Sequence, residues 1–547
     1  MMHHQHIIRF STFIALGFLM ACTPSEQVDL IVRNANIYTV NEQFETAEAL
    51  AVKDGRFIAI GAEHEILNKY SADQVYDAKR AYIYPGFVDA HSHLLGYGIE
   101  LQRLNVVGTQ SFDEVIEAIK AYISENEVSW VLGRGWDQND WPEQEFPNAE
   151  TLSQLFPNHF IALKRIDGHA YLASPNVLEL AGIIGKEEIP GGKVVVDDAG
   201  KPTGILIDAA MERINAVIPP VQRSQKIKGL QLAQEQLLAA GLTSVCDAGL
   251  SIEDINLIDS LQPEELRLRV YAMYAASEQV YDELGSLGIQ TDHLRAKSVK
   301  LYADGALGSR GAYMLEPYTD DSTNRGLLIT PEDSIRSWAK RCYDVNFQLN
   351  VHCIGDASNR VVLKAMGSVL QGTNDRRWRI EHAQVVHPED RSMYGSYNIL
   401  PSMQPTHATS DMLWADERLG DRITYAYNLM RLKEENGLIP LGTDFPVEGI
   451  EPIQTYYAAV VRKNETGMPE GGFQMEEALS RADALKGITI WAAIANFEEE
   501  KYGSIDVGKF ADFVVLNRDL LNCSEDDILS TKVLSTWIQG EQLYEGK

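Results

Sequence analysis

The feature that most constrains this chain is the recurrence of metal-ligand-type side chains at the ends of short β-rich runs. They are His91 and His93, then Lys300, His352, His382 and Asp444. Each follows or closes such a run: Gly86-Phe87-Val88-Asp89-Ala90, Ser298-Val299, Leu349-Asn350-Val351, Arg379-Ile380-Glu381 and Pro440-Leu441-Gly442-Thr443. Strand alternation puts residues i and i+2 on one face, so His91 and His93 project together. With Cα atoms roughly 7 Å apart, both imidazoles can hold one ion. One such pair is weak evidence. A ligand at the end of strand after strand is how a (β/α)8 barrel assembles a site at its C-terminal face.

Strand and helix signals alternate through the middle of the chain, as a parallel α/β barrel requires. Candidate barrel strands end near His91, Val245, Tyr274, Lys300, His352, His382, Gln404 and Asp444. Most steps are about 25 to 50 residues, the size of a βα unit. The first is roughly 150, which predicts an inserted domain over about Gly98 to Gln225, lid-like above the C-terminal face of the barrel. Residues 22–84 read as short strands, with Asp54-Gly55 as a hairpin turn between Ala49–Val52 and Phe57–Ile60. Residues 500–547 have the same texture, and the two ends together predict one small β-sandwich beside a barrel spanning 85–499.

At 547 residues the chain exceeds one ordinary core. Its formal charge of −30 argues against nucleic acid and against a basic patch for anionic lipid. Met1 to Arg9 followed by an apolar run from Phe10 to Ala21 reads as a targeting segment, too short to span a bilayer. Leu19-Met20-Ala21-Cys22 resembles a bacterial lipobox. Cleavage after residue 21 would leave Cys22 for lipid attachment, with Thr23 next to it favouring the outer membrane and a periplasmic location. Membrane contact is expected only through that anchor. Cys246, Cys342, Cys353 and Cys523 are too scattered for a disulfide framework or zinc knuckle.

Pro85-Gly86-Phe87-Val88-Asp89-Ala90-His91-Ser92-His93 resembles the signature of the amidohydrolase superfamily, and Gly503 to Val514 resembles that superfamily's return to its sandwich. Five internal segments are similar to the amidohydrolase family 3 branch, which includes N-substituted formamide deformylase. They are Gly133-Arg134-Gly135-Trp136-Asp137, Asp167-Gly168-His169, Lys300 to Gly305, His352 to Asp356, and Arg379 to Gln384. The resemblance runs from about residue 28 to the C-terminus. It implies a barrel with a small sandwich, an insertion after the first strand, and a hydrolytic metal site. Members often have a histidine where this chain has Cys246, before Asp247.

That resemblance implies two divalent ions, zinc first among the metals such ligands share with manganese and iron. His91, His93 and Asp444 would hold one ion and His352 with His382 the other. Lys300, at the end of the fourth strand, would bridge them as a carbamate made from CO₂; the alternative is a lysine that pairs with Asp304 or touches a lid. Asp444 would take the proton of the attacking water and return it to the leaving nitrogen. Glu381 precedes a ligand on a strand and should point away from the barrel axis, as a structural or supporting partner. Asp356 is expected to cap the next helix. Trp136 and Trp141 are more simply core than pocket. Asp137 and His169, in the insertion, and Asp304 and Arg310, after the fourth strand, are candidate substrate contacts.

The leading reading is therefore a hydrolase that cleaves a C–N bond in a small amide, formamide or cyclic amide. A mononuclear deaminase is the second, and Lys300 counts against it. A cell-surface binding or regulatory protein is the third, and the intact ligand set counts against that. Homodimerisation stays open.

Overall fold

A computed structural model describes residues 25–546, apart from positions 167, 169, 190, 191 and 373. The leader, the lipidation candidate Cys22 and the substrate candidate His169 lie outside the described residues. Seven parallel strands run in sequence order around a barrel: β1 (Phe87–Ser92), β2 (Leu242–Leu250), β3 (Arg269–Ala275), β4 (Leu294–Tyr302), β5 (Gln348–Cys353), β6 (Arg379–His382) and β7 (Leu400–Ser402). The eighth position, expected as a strand ending at Asp444, is a single parallel bridge between Met403 and Leu441. It still closes the ring, because Ala90 N donates to Leu441 O at 3.1 Å and Gly442 N to Met403 O at 3.0 Å. The strand is short because this turn packs onto β1. A Cβ at Gly442 would lie 2.5 Å from His91 N and 2.7 Å from Asp89 Oδ1. Only glycine permits that approach.

The two chain ends form the expected sandwich. One sheet holds Glu26–Arg33, Ala49–Lys53, Arg56–Gly61 and Tyr70–Asp77. In the other, Tyr82–Pro85 pairs antiparallel with Phe513–Leu516, which joins the two ends directly. Leu30, Val32, Leu50, Phe57, Ile83, Val515 and Trp537 share the core between the sheets, and Phe513 stacks on Trp537 at 5.2 Å. Asp54 and Gly55 both take positive φ between paired Lys53 and Arg56, which is the turn the hairpin needs. A buried ion pair, Arg269 Nε to Asp512 Oδ2 at 2.5 Å, ties the start of β3 to the sandwich.

Between β1 and β2 the chain builds a separate sheet of seven short strands from Leu104–Asn105 to Pro202–Asp208. Helix α1 (Leu94–Glu100), whose N-cap residue is His93, leads into it from the C-terminal end of β1. Trp136 and Trp141 are buried in this sheet's own core with Leu104, Ile116 and Leu163, so they are core residues. Among the described residues no helix is long and apolar enough to cross a membrane.

Candidate metal centre

The strand ends bring their polar side chains to one place. Ligand atoms of His91, His93 and Asp444 all lie within 4.8 Å of one another. His93 Nε2 is 3.2 Å and His91 Nε2 3.5 Å from Asp444 Oδ1. The imidazoles of His352 and His382 adjoin them, with ring centroids 4.5 Å apart, and His382 is 4.8 Å from His91. Lys300, almost fully buried, places Nζ 3.2 Å from His91 Nε2.

Backbone geometry aims two of these groups. His382 has φ +72° and Asp444 φ +63°, left-handed conformations that non-glycine residues seldom adopt. Such strain clusters where surrounding structure holds a functional side chain. Asp89 supplies part of that hold: its carboxylate accepts from His91 N at 3.0 Å, Thr443 N at 3.1 Å and Thr443 Oγ1 at 2.7 Å. It pins the Asp444 turn to β1.

The left-handed residue also corrects the expectation for Glu381. The side chain does not point away from the barrel axis. Its Oε2 lies 2.6 Å from His91 Nδ1, and its Oε1 accepts from Arg379 Nε at 2.7 Å. Alternation along β6 places Arg379 and Glu381 inward, and the turn at His382 swings the next imidazole back to the same side. Glu381 thus orients His91, leaving Nε2 to face the cluster. Gln404 Oε1, 2.7 Å from His382 Nδ1, does the same for His382. Metal-binding histidines characteristically have such partners on the other ring nitrogen.

Electrostatics keep the ligands in binding form. Burial, then the nearby Lys300 charge, lowers His91 to about 4 and His352 to about 3, and His382 is also pushed well below the usual range by burial and His352. All three imidazoles are neutral near pH 7. Burial alone would raise the Asp444 carboxyl, but the imidazoles of His93, His91, His382 and His407 hold it well below the usual carboxylate range. Burial lowers Lys300 to about 8. Three buried atoms here, Asp444 Oδ1, His352 Nε2 and His407 Nε2, make no hydrogen bond with any of the described residues. Such orphaned groups are costly unless something binds them. Neutral imidazoles and an ionised carboxylate fit a divalent cation.

His407 is the residue that strand-end reading missed. It sits in the first turn of α2 (Pro405–Asp411), with Nε2 3.7 Å from Asp444 Oδ2 and its ring stacked on His382 at 5.9 Å. A histidine three residues past Gln404, itself a candidate strand end, was the available signal.

The remaining candidates make other contacts. Asp304 accepts from Ile354 N, Gly355 N, Tyr313 N and Ser358 Oγ at 2.7–3.0 Å. It staples the loops after β4 and β5, although Oδ1 also lies 3.8 Å from His352 Nε2. It makes no ion pair with Lys300. Arg310 turns to Asp320 at the surface, 2.7 Å away. Asp137 is paired with Arg165 inside the insertion. Asp356 is not the helix cap: Gly355 occupies that position without a side-chain bond, and Asp356 Oδ1 accepts from Leu315 N at 2.8 Å.

A near-closed parallel barrel carrying neutral histidines and a carboxylate at its strand ends defines a metal-dependent hydrolase. The chain belongs to the amidohydrolase family, whose profile matches residues 74–544. The resemblance carried by the motifs is thereby borne out. The protein LONG AFTER FAR-RED 3 of Arabidopsis thaliana is 31% identical over 550 residues, covering 96% of this chain and 94% of that one. N-substituted formamide deformylase of Arthrobacter pascens is 25% identical, covering 94% and 98%. A metal-dependent hydrolase of Pyrococcus furiosus superposes with a TM-score of 0.77 at 26% identity, covering 90% of this chain and 100% of that one.

Proposed function

We propose that this hydrolase cleaves a C–N bond in a small amide, formamide or cyclic amide. The carrying observation is the convergence of His91, His93 and Asp444 within 4.8 Å, where Asp444 Oδ1 makes no hydrogen bond with any of the described residues. The similarity to N-substituted formamide deformylase supports the bond type.

Divalent ions in such a site polarise a carbonyl oxygen and lower the pKa of water from 15.7 to about 7. His91, His93 and Asp444 would hold one zinc-type ion, and His352 with His382 a second. Lys300, whose amine is lowered to about 8 by burial, would add to CO₂, its Nζ–C bond forming as one C=O π bond opens and the amine proton passes to solvent, and the resulting carbamate would supply an anionic ligand to the ions. Asp444 Oδ accepts the proton of the attacking water and delivers it to the leaving nitrogen, so one carboxylate serves as base and then acid. Glu381 and Gln404 hold the His91 and His382 rings in the tautomer with Nε2 free. The N-terminal Leu19-Met20-Ala21-Cys22 segment adds the reading of a lipid-anchored envelope enzyme facing the periplasm.

The test is a screen of N-acyl and N-formyl compounds on metal-reconstituted enzyme with an Asp444→Asn control. Turnover of one compound class, lost by about 100-fold or more in the control, is expected. Hydrolysis confined to esters or lactones would overturn the C–N assignment. One ion per chain at full activity would favour a mononuclear site.

A further inference from the structure

A second polar constellation lies in the inserted sheet, apart from the metal centre. Arg134 and Lys164 are direct partners on adjacent parallel strands, and Lys164 is in turn the direct partner of Tyr171. Side chains at paired positions share one face of a sheet, and like charges there repel. The carboxylates of Glu100 and Glu212 act on Lys164 only from a distance. Arg134 Nη2 donates to the Ile166 carbonyl at 2.8 Å, and Lys164 Nζ lies 5.4 Å from the centre of the Tyr171 ring. Among the described residues neither forms an ion pair. A third cation, Arg103, faces them from just beyond the end of α1, paired with Glu100. These side chains, with Leu132 and Tyr171, line a cavity of about 190 Å³ between the inserted sheet and the end of α1. Among the described residues, Arg103, Arg134 and Lys164 stand against Glu100 and Glu212, a net positive balance in a chain whose formal charge is −30.

Two neighbouring cations with no direct ion pair to a described carboxylate repel each other across the pocket, and an anion between them would offset that repulsion. Arg134 spends one Nη2 proton on the Ile166 carbonyl and keeps further N–H donors for an oxyanion, and Lys164 adds a point charge beside it. Leu132 and the Tyr171 ring offer an apolar wall to whatever carries the anionic group. Burial, and next the Arg103 charge, lower the Lys164 ammonium from its ordinary value, as expected where cations crowd.

We propose that the Arg103–Arg134–Lys164 pocket binds a small organic molecule bearing a phosphate or carboxylate group, at a site separate from the metal centre. The geometry carries this: three cationic side chains converge on one cavity, and two of them are paired strand neighbours. The hydrolase reading is not needed for it.

The test is calorimetric titration of the full-length protein with inorganic phosphate, phenyl phosphate and benzoate, against sodium chloride at matched ionic strength. Metal-loaded and metal-stripped protein are run in parallel. Expected are binding of at least one of these probes in both forms, tighter binding of phenyl phosphate than of inorganic phosphate, and weakening by about tenfold or more in the Arg134→Gln, Lys164→Gln double variant. Phenyl phosphate against benzoate separates a phosphate-bearing from a carboxylate-bearing ligand. Relief of repulsion predicts that the ligand-free double variant melts no lower than wild type. Should it misfold, the exposed single variant R134Q carries the same expectation in weaker form. Three results overturn the proposal: no binding of any probe up to roughly 10 mM, equal affinity in wild type and variant, or binding that vanishes on metal removal and so belongs to the metal centre.

Discussion

Replacing Glu381 by glutamine alters one atom and tests how the site is held. Glu381 is fully buried, with one oxygen on Arg379 Nε at 2.7 Å and the other on His91 Nδ1 at 2.6 Å. Burial opposes its ionisation, but the Arg379 guanidinium and then His91 hold the carboxyl well below its ordinary value of 4.5. The variant leaves Arg379 buried with its bonds to Ala90 O and Asn496 Oδ1 but no counter-ion. Removing one partner of such a pair costs about 3–5 kcal/mol. The sign with pH follows. A depressed carboxyl stabilises the fold fully above its unfolded pKa and loses that contribution as pH falls toward the folded value. The deficit of E381Q should therefore be constant near neutrality and narrow below about 4.5. The second effect is on tautomer. A glutamine NH₂ facing Nδ1 requires Nδ1 to accept, which moves the proton to Nε2, the atom 3.5 Å from Asp444 Oδ1. Zinc affinity should fall by about 10- to 100-fold. Urea unfolding of metal-stripped protein and competition with a chromophoric chelator measure the two. A stability loss under about 1 kcal/mol together with near-unchanged zinc affinity would refute the reasoning.

Lys300→Ala should lose activity by orders of magnitude and metal with it, and short carboxylic acids should restore part of both by filling the bridging position; a variant that keeps two ions and normal turnover removes the bridge. Metal-stripped protein should lose stability as pH falls from about 6.5 to about 4, because His91 binds its proton only near 4 when folded and near 6.5 when unfolded, so the unfolded chain gains protons first; a flat urea midpoint over that window contradicts the burial of these imidazoles. Asp304→Ala strands the amides of Tyr313, Ile354 and Gly355 and should destabilise by about 3 kcal/mol or more, read by urea denaturation.

Much of the architecture was legible in the order of residues. Ligand-type side chains at the ends of successive strands announced the barrel, and Asp54-Gly55 announced its hairpin, because such signals act through backbone geometry within a few positions. The outsize first step likewise marked the insertion. Glu381 shows where local reading stops. Alternation alone sends it and His382 to opposite faces, and only the left-handed turn at His382, sustained by packing around β6, brings both to one centre. His407 belongs to a helix, so no strand period marks it; its proximity to Asp444 exists only once the loops after β7 and Leu441 are closed against each other. Asp304 offered the right chemistry for substrate at the right strand end, yet three backbone amides claimed it first. What a side chain is was determined by the sequence; what remains unbonded and aimed at a common point was decided by tertiary packing, because satisfaction of buried polar groups depends on partners hundreds of residues away.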